Sequence, residues 1–338
     1  EPNVPPTGRC HLLVTYRLAR PDSLRAAGHV LGFDEIALRN ADRRHRWVAA
    51  LANRPIGETR LPVRREGTRI EIDSDRLSCA IDTRTGLPVS LSTEGGDLAV
   101  VLDTRSGLPR SLRVGDRELL DRPMELNIWR APTDNDRHAR LEWERAHYHQ
   151  AVARAYGVDV DEEPGRVTIS ADVGLVAPSV QPALHGRLLW SLTDDGVLSL
   201  GMRLRRTLGF PSLPRLGLRL FLPESMNQVD YHGLGPFESY VDKHRASYHG
   251  AFSADVVDLH EDYIRPQENG SRADCDYVTV SDGALGLTAV GLRPFSFNVS
   301  AYTQEELTRC AHDVELTRCG STVLCLDGAM AGIGSASC

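Results

Sequence analysis

At 338 residues the chain is long enough for one large domain or two ordinary ones, and its formal net charge of −7 excludes a general nucleic-acid binder, which presents a basic face. An apolar fraction of 41% and a charged fraction of 25% are those of a globular protein, and no apolar run approaches the roughly 20 residues that cross a bilayer. Lys243 is the only lysine, and the arginines interleave with Asp and Glu, the pattern of solvated strand faces rather than of an anion-binding surface.

The opening residues, Glu1 to Pro6, carry neither a basic nor an apolar leader, so they do not form a signal peptide; they read like a linker inside a longer polypeptide. Short apolar runs such as Leu12 to Tyr16, Arg69 to Ile72 and Val167 to Ile169 are separated by scattered Pro and Gly, the spacing of an all-β sandwich. Arg, Pro and Gly cluster from Pro55 to Gly67 and mark a boundary. Before it lies a small β segment, after it one large β domain. Arg76 to Leu91 recurs as Asp97 to Leu112, each copy reading strand, Asp-Thr-Arg-x-Gly turn, strand. The Gly supplies the positive φ that closes such a hairpin.

Arg137 to Ala155 is the main helical candidate, with Leu141, Trp143, Ala146 and Val152 as its apolar positions. Gly196 to Leu204 alternates with period 2, the mark of a half-buried antiparallel strand, and Leu216 to Leu222 is predicted as a second. Tyr302 to Cys310 forms a shorter helix in which Thr303 caps an acidic first turn. The seven cysteines are odd in number and show no C-x-x-C or His/Cys metal spacing, which predicts buried free thiols in a reducing cytoplasm and no zinc site.

Three segments concentrate chemistry. Arg130-Ala131-Pro132-Thr133-Asp134-Asn135-Asp136 packs a cation, two carboxylates and an amide into one turn. Asp134 and Asp136 can be read as a catalytic pair or a Ca²⁺ site, but the further ligands of a calcium loop are missing; capping by Asp and Asn, with Arg130 paired to a carboxylate, is the structural reading. Tyr231 to Tyr240 is a Gly-rich turn between aromatics without the Lys-Ser/Thr of a phosphate loop. In Pro266 to Arg272, Glu268 and Asn269 can grip sugar hydroxyls or simply build a turn, and both readings stay open. Phe295 and Phe297 alternate as core residues of a strand. No H-E-x-x-H, G-x-S-x-G or Ser/His/Asp arrangement stands out.

Several of these segments, in this order, resemble the C-terminal region of family 2 β-galactosidases, the small chain of split members. The resemblance rests on Ala27-Gly28-His29, Trp129 to Asp136, Tyr231 to Tyr240, Tyr263 to Gly270, Phe297 to Ser300, and Asp327-Gly328 with Gly332-Ile333-Gly334. It implies that residues 1–62 end an immunoglobulin-like domain and that 63–338 form a large antiparallel β-supersandwich similar to galactose mutarotase, lacking its last strands. It implies a retaining β-galactosidase whose two catalytic glutamates sit on a (β/α)₈ barrel of about 250 residues that this chain does not contain. No catalytic or metal-ligating residue is therefore assigned here. Arg130, Asp134, Asn135, Asp136, Glu268 and Asn269 are the family-motif residues, structural or near the sugar. The implied partners are the barrel, a β-galactoside and further copies in an oligomer, with no nucleic acid and no membrane. No cofactor is implied for this chain, Mg²⁺ and Na⁺ belonging to the barrel. A lid over the active site would correspond by position to Ala177 to Gly186. The mutarotase-like fold keeps a second reading open, a self-sufficient sugar-binding or aldose-epimerase domain using His232 or His244 with Glu268.

Overall fold

In the computed structural model, which describes residues 8–38, 50–51, 54–74, 80–82, 87–90 and 98–334, nearly every regular segment is an antiparallel strand. β1 (Cys10–Arg17) and β2 (Val30–Leu38) pair with each other as a hairpin. β3 (Val63–Glu66), β4 (Arg69–Ser74), β7 (Leu98–Asp103), β8 (Leu108–Val114) and β9 (Arg117–Glu118) make a five-stranded sheet in that order. The short pair β5 (Ala80–Asp82) and β6 (Leu87–Ser90) falls between β4 and β7 in the chain. β11 (Val152–Glu163), β12 (Arg166–Val176), β13 (Leu184–Thr193) and β14 (Leu198–Arg206) form a four-stranded meander. The largest sheet has seven strands. Its order is β10 (Arg122–Asn127), β15 (Arg215–Pro223), β20 (Ser321–Met330), β19 (Gly286–Ser300), β18 (Arg272–Ser281), β16 (Gln228–Gly235) and β17 (Tyr248–Asp255).

One continuous apolar core joins the five-, four- and seven-stranded sheets. β12 buries Val167, Ile169, Ala171 and Val173, every second residue, as a strand with one covered face must. That face meets the five-stranded sheet, where Ile72, Val100 and Leu102 surround one small void with Ile169, Trp190 and Leu192. The β7–β8 turn is pinned into the same layer: Trp190 Nε1 donates to the Gly107 carbonyl at 2.9 Å. Gly107 sits at φ 73°, as the repeated Asp-Thr-Arg-x-Gly turn predicts, and a Cβ there would come within 2.8 Å of Ala171 Cβ. The corresponding turn of the first copy lies outside the described residues.

The structure corrects two predicted elements. The helix expected over Arg137 to Ala155 is confined to α1 (Ala139–Arg145). His147 then takes a left-handed φ of 56°, a short 3₁₀ turn follows, and Val152 already belongs to β11, paired with Val176. Cross-strand pairing along all of β12 outweighs the local helical pattern. The segment Leu216 to Leu222 is not half-buried: Leu218 to Leu222 are covered on both faces because β15 lies inside the seven-stranded sheet. Gly196 to Leu204, by contrast, does contain the edge strand β14, with Leu198, Leu200 and Leu204 turned inward. The second helix, α2 (Gln304–Arg309), starts as expected, with Thr303 Oγ1 accepting from the Glu306 amide at 3.1 Å. Phe297 is fully buried and Phe295 packs against the core. The Ala177 to Gly186 stretch links β12 to β13, where Pro182 and Ala183 carbonyls accept from Thr207. The five cysteines among the described residues are free thiols, three of them buried.

Gly107 and Gly209 test the layer contact separately from backbone strain. Both have positive φ, 73° and 86°, but a Cβ at Gly209 meets nothing within 4 Å. In urea unfolding, Gly209→Ala is expected to cost about 1 kcal/mol from the left-handed backbone alone. Gly107→Ala is expected to cost a further ~1–3 kcal/mol from overpacking against β12.

Candidate functional site

β10, β15, β16, β18 and β20 all begin or end along one edge of the seven-stranded sheet, where Asn127 pairs with Gly217 and Gly217 with Asp327. The loops leaving that edge are the segments singled out in the sequence, and they meet around buried charge.

The chain leaves β10 through an Asx turn, Asn127 Oδ1 accepting from the Trp129 amide at 3.0 Å. This turns Arg130 inward. Its guanidinium binds both oxygens of Asp136, at 3.2 and 2.7 Å, and donates to the Ala331 and Gly332 carbonyls at 2.9 Å each. Asp136 also accepts from the Thr133 amide at 2.9 Å, so one carboxylate closes the turn and neutralises the arginine. Asn135 Nδ2 donates to the Ile333 carbonyl at 2.9 Å, and Asp242 accepts the amides of Ile333 and Gly334. The Arg130 to Asp136 loop is thereby bound to the Ala331 to Gly334 segment, some two hundred positions away in the chain. Asp134 is exposed, and its amide donates to Gln267 Oε1 at 3.2 Å.

A second arginine lies beneath. Arg215, wholly buried, holds Asp327 bidentately at 3.0 and 2.6 Å and reaches Glu268 Oε2 at 3.3 Å. Glu268 Oε1 is buried without a hydrogen-bond partner. Burial raises the Glu268 pKa above its ordinary 4.5, against the pull of Arg215 and Arg130. The third group is Glu238, which accepts the Gly270 amide at 2.8 Å, the Tyr263 hydroxyl at 2.5 Å, and Lys243 Nζ. Asn269 is spent on turn geometry: its Oδ1 accepts the Glu261 amide at 3.1 Å and its Nδ2 donates to the Gln267 carbonyl at 2.9 Å. Gly270 follows at φ 73°, where a Cβ would sit 2.4 Å from the Leu259 carbonyl oxygen.

Arg130, Asp136, Glu268 and Asn269 are thus brought together as interior polar groups, with Asn135 at the margin and Asp134 facing solvent. Asp134 and Asp136 form no carboxylate pair, since Asp136 is bound to Arg130. Arg215 and Glu238 were not singled out from the sequence. The only signal for Arg215 is a charge at the head of an apolar strand, just after Pro214. Three cations, Arg130, Arg215 and Lys243, face four carboxylates, Asp136, Glu238, Glu268 and Asp327. His232 bonds Asp276 and His244 bonds the Tyr240 carbonyl, and neither hydrogen-bonds Glu268. Away from this cluster, His260, Asp262 and Asp313 bring ligand-type atoms within 4.8 Å of one another, with Asp262 largely exposed.

The fold and the cluster define an all-β sandwich whose loop edge is organised by buried ion pairs. The chain belongs to the β-galactosidase small-chain family: residues 94–338 match the family described as β-galactosidase small chain. It is similar to a β-galactosidase of Actinobacillus pleuropneumoniae, 33% identical over 97% of this chain and 30% of the relative. A β-galactosidase of Staphylococcus xylosus is 38% identical over 63% of this chain and 21% of its own length. One of Yersinia pseudotuberculosis is 31% identical over 65% of this chain and 21% of its own. The chain therefore spans a third or less of the length of these relatives.

Two substitutions separate the charges by their roles. Asp327→Asn takes away the bidentate carboxylate of the buried Arg215 and leaves Glu268 as its one acidic partner, and is expected to cost about 3–5 kcal/mol in urea unfolding. Glu268→Gln is expected to stay within ~1 kcal/mol of the parent at pH 7, since Gln can still accept from Arg215. Because the folded pKa of Glu268 is raised, its contribution is full below about 4.5 and is lost as pH rises through the raised value. The parent should therefore lose more stability than Glu268→Gln between pH 5 and pH 8.

Proposed function

We propose that this chain is the non-catalytic β-sandwich part of a retaining β-galactosidase, inactive alone and active when joined to the barrel that carries the two catalytic glutamates. The observation behind this reading is the fate of the motif carboxylates. Asp136, Glu238, Glu268 and Asp327 are all buried and, Glu268 Oε1 apart, engaged by internal donors, so they build a surface and leave no open acid/base pair. Residues before 63 then belong to an immunoglobulin-like domain between barrel and sandwich, and Mg²⁺ or Na⁺ would be held on the barrel. The compartment is the cytoplasm, in keeping with free thiols.

The barrel would dock beside the cluster. Phe237, Val241 and Ile264 stand 59%, 67% and 84% exposed on the loops that carry Glu238, Asp242 and Tyr263. Exposed apolar side chains grouped around an ordered polar edge suit a protein interface. The reading is tested on a chromogenic β-galactoside. The chain alone should give no turnover, and adding the barrel-bearing portion of the enzyme should restore it. Turnover by the chain alone overturns the reading. Phe237→Asp with Ile264→Asp should weaken this complementation at least about tenfold while leaving the chain folded by circular dichroism.

A further inference from the structure

The hairpin β1–β2 meets the seven-stranded sheet around one imidazole. His249 of β17 has Glu35 of β2 on one side and Asp274 of β18 on the other. Its Nδ1 lies 2.9 Å from Glu35 Oε2 and its Nε2 lies 2.6 Å from Asp274 Oδ2. Ionised carboxylates only accept, so each contact needs an N–H from the ring, and a neutral imidazole has one. Both contacts together describe an imidazolium. The other oxygen of Glu35 takes the His249 backbone amide at 2.7 Å, so a single hairpin carboxylate grips both the ring and the strand.

The neighbouring groups support that charge. Arg9, just before β1, holds Asp274 at 2.8 Å and Asp276 at 3.1 Å, and Asp276 in turn bonds His232 of β16 at 2.8 Å. Asp274 takes a left-handed φ of 53° inside a strand, a strained conformation for a non-glycine residue that these cations hold in place. His11 of β1 stacks on His249 with centroids 4.2 Å apart and rings 6° from parallel. Phe33 of β2 meets Tyr248 edge-on at 5.4 Å. His11, Glu35 and His249 each bring a ligand-type atom within 4.8 Å of the others. An ion bound by both histidines would have to lie near both ring planes, and stacked parallel rings leave no such point. A proton fits where a metal does not.

We propose that His249 is a proton-operated clasp between hairpin and sandwich, its protonated ring joining Glu35 to Asp274 and releasing one of them on deprotonation. The energetics agree with the geometry. Burial draws the His249 pKa down, but the hydrogen bonds its ring donates to Asp274 and Glu35 outweigh it and leave the value above 6.5. His11, stacked on that ring, is lowered, first by burial and then by the charge on His249. With the folded pKa raised, the clasp is complete below 6.5 and is lost as pH rises through the raised value.

The test uses the whole 338-residue chain. Imidazole ¹⁵N shifts should show both His249 nitrogens protonated at pH 6, and Glu35→Gln should lower its pKa. The protection factor of the His249 amide, corrected for intrinsic exchange, should fall about tenfold between pH 6 and pH 9. A singly protonated His249 at pH 6, equal protection at both pH values, or stoichiometric Zn²⁺ shifting His11 and His249 together would overturn the proposal. If Glu35→Gln does not fold, the parent titration decides by itself.

Discussion

The buried pair of Arg215 and Asp327 is the constraint on which the loop edge of this molecule depends. Both side chains are out of water, and the desolvation of two such charges is recovered only when geometry is good and the remaining donors are satisfied. Here the carboxylate matches the guanidinium fork bidentately and Glu268 takes the third nitrogen. The pair joins Arg215, the first residue of β15, to Asp327 of the neighbouring strand β20, 112 positions away in the chain. Neither strand can slide by one residue without burying an unpaired charge, so the pair sets register as well as contributing energy.

The other motifs follow from that placement. Where β20 ends at Met330, its continuation runs past Arg130, whose guanidinium takes the Ala331 and Gly332 carbonyls while Asp136 neutralises it. Glu268, fixed by Arg215, donates its amide to the Ala131 carbonyl and so closes the third side. Backbone groups that would otherwise be buried and unpaired are absorbed by these charges. The result is a rigid polar floor under exposed apolar side chains.

Charge also governs the attachment of the hairpin. Apolar contact between β1–β2 and the sandwich is slight, chiefly Phe33 on Tyr248, and carboxylates, Arg9 and histidine carry the rest. An interface of this kind responds to protons and salt where a hydrophobic one does not.

Period-2 alternation in β14, the short apolar run in β12, the Thr303 cap and the turn glycine at 107 were legible in the chain because each depends on residues within a few positions. So was the family, because the motif segments keep their order. The limits of α1 and the double burial of β15 were not, since both depend on which strands lie alongside. The same holds for the cluster. Arg130 and Asp136 are six positions apart and their pairing could be expected locally, whereas Arg215 finds Glu268 and Asp327 only after the seven-stranded sheet has brought β15 and β20 together. Sequence alone determined the β class, the turns and the residues with unusual chemistry. Tertiary structure decided that this chemistry is turned inward, because only strand order says which charges share an interior.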